Sequence, residues 1–285
     1  MTDHARPQFS DIDQWGLTHQ GKVRKDNQDH FFLGALTQGV LVDRSSIGGE
    51  ELGLRDQRLA SLGVVADGVG GSGGGETAAR IAVRDLVASV SRFFHDAERV
   101  ESEDPEVFSR LLQDAALSCH DSLLKKAERE GGERHFSTTL TFFLGLWPHA
   151  YLLQVGDSRC YVLRNDELTQ ITRDQTLAQD LVDSGSMSRT VAHQSRWSDV
   201  LSSAIGGGEA APVVTRLVRD RGAVVLLCSD GLTKHVSDDR IKACLVSLTS
   251  ARQAAEQLLQ DALDGGGTDN ITIIVGRTLP LEEEA

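Results

Sequence analysis

Four aspartates stand where apolar runs break into tight turns, and together they are the first chemical signal in the chain. Asp67 closes "LGVVA", Asp230 follows "AVVLLC" and Ser229, Asp157 follows "AYLLQV" and Gly156, and Asp269 lies just ahead of "ITIIV". One such aspartate is an ordinary turn former. Four of them at the ends of neighbouring strands would crowd carboxylates that cannot all ionise unless a cation sits among them. Oxygen donors with no Cys or clustered His beside them select hard divalent ions, Mg²⁺ or Mn²⁺, over structural zinc. The stretch "GKVRKDNQDHFF" adds Asp29 and Arg24. Beside metals, the planar fork of an arginine binds phosphate oxygens bidentately. Carboxylates, two hard metals and one arginine make a phosphoryl hydrolysis site.

The segment around Asp67 also invites a rival reading. In "VADGVGGSGGGETAA", Gly68, Gly70 and Gly73 spell G-x-G-x-x-G, the signature of a dinucleotide loop. That fingerprint needs a second strand ending in an acid roughly 20 residues further on. Here a helical stretch to about residue 96 and the polar run "AERVESEDPE" follow instead. No Gly-Lys-Ser/Thr completes a P-loop, and Asp67 would face the pyrophosphate and repel it. The glycines after Asp67 and Asp230 are read instead as room for backbone and metal-bound waters.

The elements that must position these groups follow from periodicity. Strands are expected over 30–34, 62–66, 138–146, 150–155, 160–164, 223–228 and 271–276. Helices are expected over 76–96, from Asp104-Pro105 onward, and over 176–184, 238–248 and 251–263. Closely spaced strands imply antiparallel pairing, and helices arriving in pairs imply α+β layering. Residues 39–60 read as a long loop or hairpin, and both ends read as short tails.

Composition narrows the classes further. A chain of 285 residues, 40% hydrophobic, can bury a substantial core. A net charge of -13 argues against nucleic acid or an anionic membrane as the main partner and suits a cation site. Cys119, Cys160, Cys228 and Cys244 form no C-x-x-C pair, which fits a reduced, cytoplasmic setting. Without an apolar leader or membrane-length run, a soluble, monomeric protein is expected.

The ordered set "VRKDNQD", "VADGVGG", "GDSR", "CSDGL" and "GTDNITIIV" resembles the PPM family of metal-dependent protein phosphatases, the type 2C serine/threonine phosphatases, particularly its bacterial branch. The likeness runs from about Trp15 to Gly276. It implies an αββα sandwich, with two antiparallel sheets face to face and helices outside, as one catalytic domain over 10–279 with a flap subdomain at 174–210. It also implies a binuclear Mn²⁺/Mg²⁺ centre at one end, where a metal-activated water attacks phosphoserine or phosphothreonine on proteins. By the same resemblance, Asp67 bridges the two metals, the Gly68 carbonyl serves the second, and Asp230 and Asp269 complete the first. Asp157 matches a position that helps hold a third, weaker ion, and Asp29 reaches the second metal through water. Arg24 grips the substrate phosphate, with Gln28 and Asn270 in support. The implied partners are phosphorylated proteins, including a Ser/Thr kinase or its substrates.

Three departures from the family pattern stand out. Gln28 replaces a frequent Glu, Val69 stands where some members carry His, and Asp174-Gln175-Thr176 replaces Asp-His-Ser in the flap. A metal-bound water is then the expected proton donor to the leaving oxygen. Two other functions are weighed against hydrolysis. A silent phosphoprotein-binding relative is disfavoured by the intact Asp67, Asp230 and Asp269, and a dinucleotide oxidoreductase by the missing second strand.

Overall fold

The computed structural model of the chain describes residues 7–38, 57–70, 73–95, 105–132, 136–193 and 195–280. In chain order its strands are β1 (Ile12–His19), β2 (His30–Gln38), β3 (Gln57–Ala66), β4 (Gly68–Val69), β5 (Ser137–Thr138), β6 (Leu140–Leu146), β7 (His149–Val155), β8 (Arg159–Arg164), β9 (Glu167–Gln170), β10 (Val213–Val218), β11 (Val224–Cys228) and β12 (Ile271–Thr278). The helices are α1 (Gly74–His95), α2 (Pro105–Arg129), α3 (Leu177–Asp183), α4 (Arg189–His193), α5 (Asp230–Thr233), α6 (Asp238–Val246) and α7 (Ala251–Asp264).

Two five-stranded sheets form, one in the order β1-β12-β11-β8-β9 and the other in the order β10-β7-β6-β3-β2. Every pairing within them is antiparallel. Alternation along each strand sorts side chains to opposite faces. On β3, Leu62, Val64 and Ala66 face outward into a core shared with α1 and α2, while Val65 faces the other sheet. On β12, Ile271, Ile273 and Val275 face α6 and α7, while Ile274 joins Val65, Phe143, Leu152, Cys160 and Leu227 between the sheets. The result is the expected four-layer αββα sandwich.

Helix periodicity drives the outer layers. Ala78, Ala82, Leu86, Val90 and Phe94 recur every fourth residue along α1, and all are buried. Each large apolar side chain there stabilises the fold by roughly 1.5–3 kcal/mol. Thr176, Ser237 and Ser250 cap α3, α6 and α7 by accepting the backbone N–H of Gln179, Arg240 and Gln253.

Several expectations are corrected. The single strand expected over 138–146 is interrupted at Thr139, so that β5 pairs with β4 in a separate two-stranded sheet while β6 joins the large one. Helix α1 begins at Gly74, two residues before the expected start, and buries Phe94 near its end. Strands β1, β9 and β10 were not anticipated, because "IDQWGLTH", "ELTQ" and "VVTRLV" carry weak or mixed patterns. The expected loop at 39–60 lies outside the described residues over 39–56, and 57–60 already belong to β3. The Asp104 cap also lies outside them. Each of the four cysteines is free and buried.

Candidate metal centre

Sheet register decides where the acids meet. His30 pairs with Ala66, Leu140 with Val155, and Cys228 with Ile273. The N-terminal end of β2 therefore lies beside the C-terminal end of β3, and the C-terminal end of β11 beside the N-terminal end of β12. Asp29, Asp67, Asp157, Asp230 and Asp269 thus emerge at one end of the sandwich. Burial is the largest force raising the Asp67 carboxyl well above its ordinary value, followed by the charges of Asp29, Asp230, Asp157 and Asp269. Asp67 is the focus of the cluster, although its residue keeps some accessible surface.

The backbone of Asp67 is pinned from β5 and the residue after it. Its N–H donates to Thr139 Oγ1 at 2.9 Å, and its carbonyl accepts Thr138 Oγ1 at 2.8 Å and the Thr139 N–H at 2.9 Å. Thr139 Oγ1 also meets Ser158 Oγ at 2.8 Å, beside Asp157. Burial, then Asp230 and Asp174, raise Asp157 well above the usual carboxylate range.

Asp29 is buried at 3% exposure. Its Oδ2 accepts Ser229 Oγ at 2.8 Å and Thr272 Oγ1 at 2.7 Å, while its Oδ1 is buried without a partner. Burial pushes this carboxyl up to about 6, with Thr272 and Ser229 opposing and Asp230 and Asp269 adding to the rise. Asp230 has the same character. Its Oδ1 is buried and unpartnered, and burial raises its pKa against the pull of Lys234.

The cations of the site are a lysine and an arginine. Lys234 Nζ lies 2.6 Å from Asp230 Oδ2 and 2.9 Å from Asp269 Oδ2. Arg24 grips Asp269 with Nε 2.7 Å from Oδ1 and Nη2 2.8 Å from Oδ2. Burial works against ionisation of Asp269, but Arg24 and Lys234 outweigh it and hold the pKa below its ordinary value. Arg24, expected on a substrate phosphate, here lies on a carboxylate. Lys234 was missed in the sequence, although its place four residues after Asp230 is the helical spacing that brings side chains together.

Asn270 ties the N-terminal segment to the site. Its Oδ1 accepts the Gln28 N–H at 2.9 Å, and its Nδ2 donates to the carbonyls of Gln20 at 2.8 Å and Asp26 at 3.0 Å. The glycines make room for backbone, one of the two uses expected of them. A Cβ at Gly68 would overlap the backbone of Gly75 at the start of α1, and one at Gly231 would overlap the Asn270 carbonyl. It is the chain's own backbone that needs the space.

Gln175 is a buried anchor, accepting the Gly156 N–H at 2.8 Å and donating to the Ala211 carbonyl at 2.9 Å. Arg159 of "GDSR" holds Asp174 with Nε 2.9 Å from Oδ1 and Nη2 2.7 Å from Oδ2, fastening the segment between β9 and α3 to β8. His235 is engaged with Thr268, whose N–H it accepts at 2.9 Å.

Among the described residues, no three His, Cys, Asp or Glu side chains stand gathered around a single ion position. The donor set nevertheless fits hard cations. Its donors are oxygens, Asp29 and Asp230 each bury an oxygen with no partner, and the ion pairs of Asp230 and Asp269 run to two cations, Lys234 and Arg24. Orphaned buried carboxylate oxygens are costly unless a positive group completes them.

Such a sandwich, with acids converging at its strand ends, defines a class, and comparison with known proteins gives the family. A family model described as protein phosphatase 2C matches residues 52–265. The chain therefore belongs to the protein phosphatase 2C family. It is 32% identical over 259 residues to the serine/threonine protein phosphatase PstP of Mycobacterium tuberculosis, covering 90% of this chain but only 43% of that protein. It is 30% identical over 259 residues to the serine/threonine phosphatase stp of Listeria monocytogenes, covering 90% and 92%. The crystal structure of PstP superposes with a TM-score of 0.75 at 29% identity, covering 94% of this chain and 99% of that one. A second structure, the PstP catalytic domain in complex with 2 manganese ions, gives a TM-score of 0.72 at 29% identity over the same shares. Among the described residues no helix is long and apolar enough to cross a membrane.

Proposed function

We propose that the chain hydrolyses phosphoserine and phosphothreonine on proteins with two Mn²⁺ or Mg²⁺ ions, and so reverses the action of a Ser/Thr kinase. The observation that carries this reading is the convergence of Asp29, Asp157, Asp230 and Asp269 on Asp67, with two buried carboxylate oxygens left unpartnered. The relatives' names and the manganese-bound PstP catalytic domain support the same chemistry.

Asp67 with the Gly68 carbonyl, and Asp230 with Asp269, would hold the two ions, with Asp29 reaching the second through water and Asp157 serving a third, weaker one. Divalent ions at such a site acidify water and neutralise charge on a phosphoryl group. The chain's own residues do the rest. Ser229 and Thr272 fix the carboxylate of Asp29. Thr138 and Thr139 fix the backbone of Asp67. Arg24, more than half exposed, has the freedom to leave Asp269 and present its fork to phosphoryl oxygens. Neither Cys228 nor Ser229 is needed as a nucleophile: Cys228 is buried in the core behind β11, and the Ser229 hydroxyl is committed to Asp29.

The test is hydrolysis of p-nitrophenyl phosphate and a phosphothreonine peptide in Mn²⁺, in Mg²⁺ and in EDTA. Turnover should require a divalent ion, and Asp67→Asn and Asp230→Asn should each lower it by orders of magnitude. Absence of Mn²⁺-stimulated turnover in the intact chain would overturn the reading.

A further inference from the structure

The Asp269 carboxylate is fully subscribed. Its Oδ1 accepts Arg24 Nε at 2.7 Å and the Asn270 N–H at 2.9 Å, and its Oδ2 accepts Arg24 Nη2 at 2.8 Å and Lys234 Nζ at 2.9 Å. A carboxylate offers about four lone-pair sites, and here each has a donor. An ion can bind Asp269 only by displacing one of them. The Asn270 N–H belongs to the adjacent backbone and cannot leave, so a side-chain cation must.

The two cations differ in their tethers. Arg24 reaches in from an exposed segment on a long side chain. Lys234 sits one helical turn after Asp230, with its N–H on the Asp230 carbonyl at 2.8 Å and Leu232 fully buried beneath that turn. Its ammonium is returned to Asp230 Oδ2 at 2.6 Å by local geometry alone. It spans the two acids that the proposed function assigns to the first metal, and an ammonium and a divalent ion at such separations repel strongly.

We propose that Lys234 is a tethered competitor cation, which holds Asp230 and Asp269 when no divalent ion is bound and must release them when one arrives. This rests on the metal-centre reading and adds a property to it: the chain carries its own counter-ion, stabilising the ion-free fold and setting the ion concentration at which the centre fills. The displaced ammonium keeps its stem and swings toward solvent, where the side chain is already 30% exposed.

The experiment is a Mn²⁺ titration of the EDTA-treated, dialysed full chain, with free Mn²⁺ read by electron paramagnetic resonance, on wild type, Lys234→Met and Lys234→Arg. Met keeps the apolar stem and removes the charge. Lys234→Met should bind Mn²⁺ about tenfold or more tightly, the equivalent of one charge-assisted hydrogen bond no longer displaced. Lys234→Arg should stay near wild type. Thermal unfolding supplies a second readout: without metal Lys234→Met should melt below wild type, and saturating Mn²⁺ should raise its Tm by a larger increment. Equal or weaker Mn²⁺ affinity in Lys234→Met overturns the competitor role while leaving the metal centre intact. Failure of every variant and of wild type to bind Mn²⁺ overturns the metal centre and the competitor together.

Discussion

Removing divalent ions should make the stability of this protein fall as pH rises through the range in which most proteins are steady. The clearest source is Asp29, 3% exposed, whose carboxyl is pushed from 3.8 to about 6, chiefly by burial. The unfolded chain returns it to water and to its ordinary value. A group whose folded pKa exceeds its unfolded one adds stability below the unfolded value and loses it as pH rises through the folded value. At 1.36 kcal/mol per unit, the move from 3.8 to about 6 is worth about 3 kcal/mol in full, of which roughly half lies between pH 5 and pH 8. That is roughly 3–6 °C in Tm for a domain of this size. Asp67, Asp157 and Asp230 are raised as well and steepen the fall, while Asp269, held below 3.8, is ionised in both states across this interval and adds no slope there. Calorimetry at pH 5 and pH 8 in EDTA, on wild type and Asp29→Asn, isolates the Asp29 share. Wild type should lose about 1–2 kcal/mol more than Asp29→Asn across that interval. Mn²⁺ should flatten the wild-type profile by holding the carboxylates ionised. If Asp29→Asn in EDTA keeps the full wild-type slope, Asp29 does not titrate where its burial places it, and the reasoning fails.

Other perturbations separate the scaffold from the site. Asp174→Asn strips the counter-charge from Arg159, whose side chain is 17% exposed, and should cost about 3–5 kcal/mol in urea unfolding. Leu86→Ala empties a fully buried position beneath α1 and should cost about 2–5 kcal/mol, while turnover per folded molecule stays near wild type because the cavity opens on the helix side of the sheet. Gly231→Ala drives a methyl into the Asn270 carbonyl and should lower both Tm and Mn²⁺ affinity, since Asn270 adjoins Asp269 and supports Gln28; a variant with wild-type values of both would show that this approach is not tight.

Much of the architecture is legible in single segments. The four-residue recurrence of α1 and the strongly apolar β6, β7, β11 and β12 announce themselves, because an element buried along one face or both must spell that burial out in its own residues. β1 and β10 stayed hidden for the opposite reason. They lie at sheet edges, and with half-exposed faces their residues need not be apolar. The break at Thr139 was equally hidden, since both halves of 138–146 favour strand and only their different partners separate them.

The same division runs through the site. Asp67, Asp157, Asp230 and Asp269 could be picked out in sequence because each ends or precedes an apolar strand, and that local context follows from their neighbours along the chain. Their convergence with Asp29 is set by antiparallel register, which is a property of pairs of strands far apart in sequence. Which oxygens are orphaned, which are held by Ser229 and Thr272, and which are bound by Lys234 and Arg24 exist only once both sheets are assembled. The kinds of donor, and the strands that carry them, follow from residues adjacent along the chain. Tertiary structure decided their charge states and their counter-ions, because desolvation and Coulomb interactions depend on distances in space that chain separation does not encode.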